Sequence, residues 1–281
     1  MRDRLGIAIV EFDIVTIFPR MVDAALEEGI LGRAIVRRLL TVRVRDLREF
    51  CEDRHRVVDD TPYGGGPGMV LKPEPLFRAV DAIRRECGTP GAVVLVSPQG
   101  RRLTQAEAAR LASLRHVVIL CGRYEGVDDR VREHLATEEL SIGDYVLSGG
   151  ELPALVVVDT VARLVPGVVG DEDSVSAESF ARGLLDFPHF TRPEEFRDLK
   201  VPAVLLSGHH GEIQRWRKRQ AVERTLSRRP ELLARAALDD EEREILRELL
   251  KERERSGAEE PVGRECGVGS TSLDSASRKR E

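Results

Sequence analysis

The stretch Ser141-Ile142-Gly143-Asp144-Tyr145-Val146-Leu147-Ser148-Gly149-Gly150-Glu151 carries the densest chemical signal in the chain. It sets glycines beside an Asp, a Tyr and a Glu, and neither helical nor strand periodicity explains it. Glycine loses more backbone entropy on ordering than any other residue, so a cluster of it needs a reason. The usual reasons are a tight turn or a backbone that must touch a ligand. Two more such segments lie upstream, Cys121-Gly122-Arg123-Tyr124-Glu125-Gly126 and Ser97-Pro98-Gln99-Gly100. Each adjoins an apolar run that reads as a buried strand. Together they predict one composite pocket built largely from backbone.

Backbone N–H groups at a strand end bind anions or nucleotides. These loops match neither G-x-G-x-x-G nor a Gly-Lys-Ser/Thr P-loop. A dinucleotide-dependent oxidoreductase is therefore disfavoured. The 141–151 stretch has no basic residue and contains Asp144 and Glu151, which argues against a phosphate-rich ligand. A ligand joining a hydrogen-bonding base to a positive centre, such as S-adenosylmethionine, suits it better. Any one loop alone reads as a tight turn of an ordinary α/β domain; three in one domain point to a ligand.

A second signal lies at Gln214 to Arg229. Seven basic residues there (Arg215, Arg217, Lys218, Arg219, Arg224, Arg228, Arg229) face one acid, Glu223, for a local net of +6. Such clusters neutralise nucleic-acid phosphates, although a solvated helix face is the commoner meaning. Trp216 lies among them and reads as core before it reads as a base-stacking ring.

The elements that would position these groups alternate. Phe12 to Phe18 reads as a strand stopped by Pro19, Met21 to Leu40 as helical, Leu40 to Val44 as a short strand, and His55 to Met69 as a glycine-rich loop. Pro75 to Cys87 reads as a helix and Ala92 to Val96 as a strand. Thr104 with Glu107 reads as a capping box. Val117 to Cys121 reads as a strand, Gly126 to Leu135 as a helix, Tyr145 to Leu147 as extended, and Leu152 to Leu164 as an apolar helix. The alternation predicts an α/β domain with a mainly parallel sheet. Gly167 to Glu178 lacks large apolar residues and reads as a flexible linker. The basic helix follows, then a second amphipathic helix from about Asp239 to Lys251. Ser256 to Glu281 is polar and reads as disordered.

Composition bounds the class. The 281 residues are 41% hydrophobic and 33% charged, as in a globular protein. No apolar run approaches the ~20 residues of a membrane span, and the start is too polar for a secretory signal. A cytoplasmic location is expected. The four cysteines show no C-x-x-C spacing, which disfavours zinc and a disulfide framework. The net charge of −5 gives no global sign of nucleic-acid binding.

The motifs resemble a known family. Asp13 to Pro19 (DIVTIFP), Pro62 to Met69 (PYGGGPGM), Ser97 to Gly100, Cys121 to Gly126, Ser141 to Ala154 and Gly183 to Pro193 (GLLDFPHFTRP) occur in its order and spacing. Val204 to His210 and Arg228 to Leu233 extend the match to about residues 11–235. The chain is identified as similar to the bacterial tRNA (guanine-N1)-methyltransferases, the TrmD family of the SPOUT class. That resemblance implies a trefoil-knotted methyltransferase domain over 11–168, a flexible linker over 169–187 and a small, mainly helical tRNA-binding domain over 188–252. A tail over 253–281 lies beyond. It also implies a homodimer whose active site forms between subunits.

The implied reaction moves a methyl group from S-adenosylmethionine to N1 of the guanine just 3′ of the tRNA anticodon. N1 carries a proton, so a base must remove it while charge on O6 is stabilised. By resemblance, Glu178 is the base and Arg163 the O6 stabiliser. The family usually has Asp where this chain has Glu178, and Asp171 and Asp173 in the same linker are rivals. The cofactor positions carried over are Tyr124, Glu125, Gly126, Ile142, Gly143, Tyr145, Leu147, Gly149 and Gly150. Pro98, Gln99, Gly100, Gly122, Ser141 and Pro153 accompany them. Arg215, Arg217, Lys218, Arg219 and His189 are the expected tRNA contacts. The family resemblance also implies Mg2+, a hard cation that takes oxygen ligands, although no spacing here marks a metal site. The target base must leave the anticodon-loop stack to reach the pocket. Rival readings are a knotted enzyme acting on ribose or ribosomal RNA, and a non-enzymatic RNA binder; the linker carboxylate, Arg163 and the GLLDFPHFTRP segment disfavour both.

Overall fold

The computed structural model describes residues 10–170 and 178–257. The chain divides into two compact units, one ending at Ala181 and the other beginning at Arg182.

The first unit contains β1 (Val10–Thr16), α1 (Pro19–Leu26), α2 (Gly29–Val36), β2 (Leu40–Asp46), β3 (Asp59–Asp60), β4 (Val70–Leu71) and α3 (Pro73–Cys87). It continues with β5 (Ala92–Arg102), α4 (Gln105–Ala112), β6 (His116–Cys121), α5 (Asp129–His134), β7 (Glu138–Ser141) and α6 (Glu151–Ala162). Five of the strands form a parallel sheet in the order β2-β1-β6-β5-β7. Strand alternation gives each face its own core. Phe12, Ile14, Val94, Ile119 and Cys121 pack with Val22 of α1, Leu111 of α4 and Val157 and Val161 of α6. Val15, Val93, Leu95, Val118 and Leu120 pack with Leu76, Val80 and Ile83 of α3 and Val131 of α5. Every residue of β6, the central strand, is buried.

Asp13 on β1 is a fully buried carboxylate. It accepts from His116 Nε2 at 2.8 Å, Arg45 Nε at 2.7 Å and Arg43 Nη2 at 3.1 Å. Burial pushes its pKa up, but the hydrogen bonds from His116, Arg43 and Arg45 outweigh this and hold it at about 2. A carboxylate only accepts, so His116 donates through Nε2. The Nδ1 of His116 is buried with no partner among the described residues.

Several expected elements are shifted. The single helix expected over 21–40 is two, because Gly29 takes a φ of 65°, in the left-handed region that favours glycine. Pro19 opens α1 rather than merely stopping β1, since its fixed φ suits a first helical turn. The helix expected over 126–135 is confined to α5, behind an N-cap at Asp128. Strand β5 does not stop at Val96: its pairing with β7 jumps from Val96 to Arg101, so residues 97–100 are a bulge. Tyr145 to Leu147 is irregular loop, and the strand in that region is β7. Thr104 caps α4 by accepting from Glu107 N, but the Glu107 carboxylate turns to Arg110 and Arg101. Only half the capping box forms.

The second unit holds β8 (Glu195–Phe196), β9 (Leu199–Lys200), α7 (Ala203–Leu206), α8 (His210–Arg228), α9 (Pro230–Leu233) and α10 (Asp240–Ser256). Val222 and Leu226 of α8 pack on Ile245 and Leu249 of α10, with Leu184 beneath. A full capping box, Asp239 with Glu242, starts α10. Asp171 and Asp173, and the tail beyond residue 257, lie outside the described residues.

Candidate active site

The three glycine segments, the bulge within β5 and the loops after β6 and β7, meet beside the carboxyl ends of β6 and β7, the kind of place where open parallel sheets bind ligands. The loop after β6 and the loop before α6 are zipped: Arg123 bridges Gly149, and Gly150 N donates to Gly122 O at 2.9 Å. Close approach explains the glycines. A Cβ on Gly150 would lie 2.7 Å from both Cys121 Cα and Val96 Cγ2. A Cβ on Gly143, whose φ is 153°, would strike the Tyr145 ring at 2.5 Å.

The loops enclose a cavity of about 380 Å³, within the range of ligand sites. Pro98, Gln99, Gly122, Tyr124, Glu125, Gly126, Ser141, Ile142, Gly143, Tyr145, Leu147, Gly149, Gly150 and Pro153 all line it. Gly100 does not. It presses on β7 instead, where a Cβ would meet Leu140 N at 2.6 Å, so its role is to let the bulge close. Replacing Gly150 by Ala is expected to prise the two loops apart and so to weaken S-adenosylmethionine binding about tenfold or more, roughly 1.4 kcal/mol, if the cavity is its site. Calorimetric titration checks this, and unchanged affinity would show that the loops tolerate the gap.

Of the polar lining, Asp129, Arg132 and Glu139 fall outside the three glycine segments, whereas Arg123 and Ser148 fall inside them without having been singled out. Arg123 stood inside a recognised motif, whereas Glu139 lies on the strand β7 that periodicity did not reveal. The two arginines do not make the cavity cationic, because Arg123 pairs with Glu151 and Arg132 with Asp129. Glu125 and Glu139 line it with no salt-bridge partner among the described residues. The pocket thus offers glycine backbone and uncompensated carboxylate, which fits a cationic ligand bearing a hydrogen-bonding base. Cys121 is no candidate nucleophile: burial, then the charge of Glu151, pushes its thiol well up.

Glu178 and Arg163 come together as an ion pair through Glu178 Oε1 and Arg163 Nη2. Arg163 is the C-cap of α6, so the helix that starts at the glycine loops ends at this pair. Both side chains are about one-third exposed, at 31% and 39%, and so remain open to a substrate.

The expected tRNA contacts belong to the second unit, and most are already paired. Lys218 reaches Asp239 at 2.9 Å and Glu241 at 2.7 Å, and those two carboxylates raise its pKa. Arg219 meets Glu248 and Glu252, and Arg215 lies 3.7 Å from Glu248. The Arg217 guanidinium sits 5.0 Å from the Phe187 ring centroid. His189 bonds Asp186 at 2.9 Å and keeps 69% of its side chain exposed. Trp216 is half-buried against Phe190. The acids of α10 therefore offset much of the charge counted along α8. Among the described residues, no group of three or more His, Cys, Asp or Glu is placed to hold a metal ion.

The family model described as tRNA (Guanine-1)-methyltransferase TrmD matches residues 10–235. A Pelotomaculum thermopropionicum protein named tRNA (guanine-N(1)-)-methyltransferase is 58% identical over 241 residues, covering 85% of this chain and 96% of its own. Proteins of the same name from Brevibacillus brevis and Dehalococcoides mccartyi are 53% and 50% identical. They cover 86% of this chain each and 98% of their own.

Proposed function

The chain belongs to the tRNA (guanine-1)-methyltransferase TrmD family, and from that premise we propose that it methylates N1 of the guanine just 3′ of the tRNA anticodon, with S-adenosylmethionine as donor. Membership makes it a tRNA guanine-N1 methyltransferase; the donor, the anticodon-adjacent target and the residue roles are the proposal. The observation that carries the chemistry is the Arg163–Glu178 pair.

When bound, S-adenosylmethionine supplies an electrophilic methyl group on its sulfonium sulfur. The cavity suits it on two counts, the glycine backbone that can meet a base and the unpaired carboxylates of Glu125 and Glu139 that can face a cation. Glu178 accepts the proton from guanine N1, and the nitrogen lone pair so freed would take the methyl group as its bond to sulfur breaks and that electron pair stays on the sulfur of a neutral thioether product. Arg163 turns from its partner to guanine O6, where negative charge gathers as the proton leaves.

The trefoil knot of the SPOUT class belongs to this reading, with residues 188–252 as the tRNA-binding domain and α8 as its grip. Homodimerisation is supported by α6, whose outer face exposes Leu152 and Val156, at 48% and 41%, one turn before Asp159. Neighbouring apolar side chains of that size on a helix surface are ordinarily covered by a partner. Among the described residues no helix is long and apolar enough to cross a membrane.

The test uses tritiated S-adenosylmethionine and two tRNA transcripts that differ only in guanine or adenine next to the anticodon. Label in the guanine transcript alone is the expected result. Label in both would keep the tRNA methyltransferase and remove the assigned target. Label in neither, with the protein folded, would remove the reading.

A further inference from the structure

Glu151 is a fully buried carboxylate that the proposed mechanism leaves unused. It is the first residue of α6, where a negative charge is favoured by the helix dipole. Its Oε1 accepts from Thr16 Oγ1 at 2.6 Å, and its Oε2 accepts from Arg123 Nε at 2.9 Å. Glu151 itself does not line the cavity, but Arg123 does. From Glu151 the guanidinium reaches across to Ser148 O at 3.1 Å and lies 4.4 Å from the Phe18 ring centroid. A Cβ on Gly149 would collide with that guanidinium. One carboxylate therefore ties together the end of β1, the loop after β6 and the loop before α6. The last two carry much of the cavity wall.

We infer that Glu151 is a positioning residue for the methyl donor: through Arg123 and Thr16 it sets the spacing between the two glycine loops. This rests on the reading of the cavity as the S-adenosylmethionine site. Buried ion pairs are often no more than neutral for stability. This one is tuned to the cavity rather than to the fold. Its loss should then fall on donor binding and not on tRNA binding, since its partners are Arg123 of the cavity lining and Thr16 at the end of β1, both in the first unit.

Steady-state kinetics of Glu151→Gln in the full-length enzyme, with tritiated donor and the guanine transcript, test it. A Gln keeps the shape but removes the charge that holds the guanidinium. The KM for S-adenosylmethionine should rise about tenfold or more, as expected for loss of a charged hydrogen bond. The KM for tRNA and kcat should stay within about twofold. Thr16 supplies a milder probe that spares the carboxylate. Thr16→Val, which removes the hydroxyl, should raise the donor KM severalfold, and Thr16→Ser, which keeps it, should restore the native value. An unchanged donor KM in Glu151→Gln overturns the inference. So does a parallel loss for donor and tRNA in both Thr16 variants, the mark of a purely structural contact. If the unaltered enzyme does not bind S-adenosylmethionine at all, the cavity reading falls and takes the inference with it. Methyl transfer by the unaltered enzyme with an indifferent Glu151→Gln removes the inference alone.

Discussion

Glu178→Gln is expected to lower kcat for methyl transfer by about 10²- to 10⁴-fold, the usual worth of a positioned general base, and to leave donor affinity within about twofold. The amide matches the carboxylate in shape but cannot take the N1 proton. Donor affinity should hold because Glu178 is not part of the cavity lining. Folding should hold as well: the pair with Arg163 is partly exposed, and such pairs contribute roughly 0–1 kcal/mol. Single-turnover transfer, with donor binding measured separately by calorimetry, distinguishes a lost base from a lost site. Near-normal turnover would rule out Glu178 and leave Asp171 and Asp173 of the neighbouring segment. Glu in place of the family's usual Asp lengthens the arm by one methylene. The ion pair accounts for where that longer arm rests, because Glu178 is held against Arg163 and so begins beside the group proposed to stabilise O6.

The second large effect concerns the fold. Asp13→Asn should destabilise the protein by about 3 kcal/mol at neutral pH, the lower end of the range for breaking a buried ion pair. The lower end applies because Arg43 keeps Glu11 and Arg45 keeps Glu86 as partners. His116 does worse, since its Nδ1 already lacks a partner among the described residues and Nε2 would lose its carboxylate. The pH dependence has a definite sign. Asp13 has a folded pKa depressed to about 2 from an ordinary 3.8. Its contribution is therefore complete above roughly pH 4 and disappears as pH falls through about 2. The difference corresponds to roughly 2 kcal/mol. Urea unfolding of both proteins from pH 2 to 7 should show the gap between them narrowing on the acid side. A constant gap, or one below about 1 kcal/mol at neutral pH, would mean that the buried cluster contributes nothing specific.

The glycine loops were legible because their signal is local. A glycine is conspicuous wherever it stands, and a cluster of them beside buried strands marks backbone that must approach something closely. Gly122, Gly143, Gly149 and Gly150 could be read in this way without any knowledge of their neighbours. The central strands were legible for a similar reason, since β-branched runs such as Val117 to Cys121 are buried on both faces. Strand β7 was not, because Glu138 and Glu139 stand where a buried strand usually has apolar residues. Those two carboxylates face the Arg101–Arg110 cluster and the cavity respectively.

The basic stretch shows the limit of counting charge along a chain. Its seven cations are visible in the sequence, but Asp239, Glu241, Glu248 and Glu252, which offset several of them, lie on or beside a different helix. Only the packing of α8 against α10 brings these groups within bonding distance. Thr16 and Glu151 are 135 residues apart, and no periodicity links them. By itself, then, the sequence determined the alternation of strands and helices and the glycine loops, and through the family motifs it singled out Glu178 and Arg163, whose contact only the structure shows. Turn chemistry, hydrophobic period and motif spacing all act over short stretches of chain. The bulge at residues 97–100, the closing contact of Gly100, the Asp13 cluster and the Glu151–Arg123–Thr16 tie were decided by the tertiary structure. Each depends on a partner that folding alone brings close, and the energy of such a contact is written in neither residue separately.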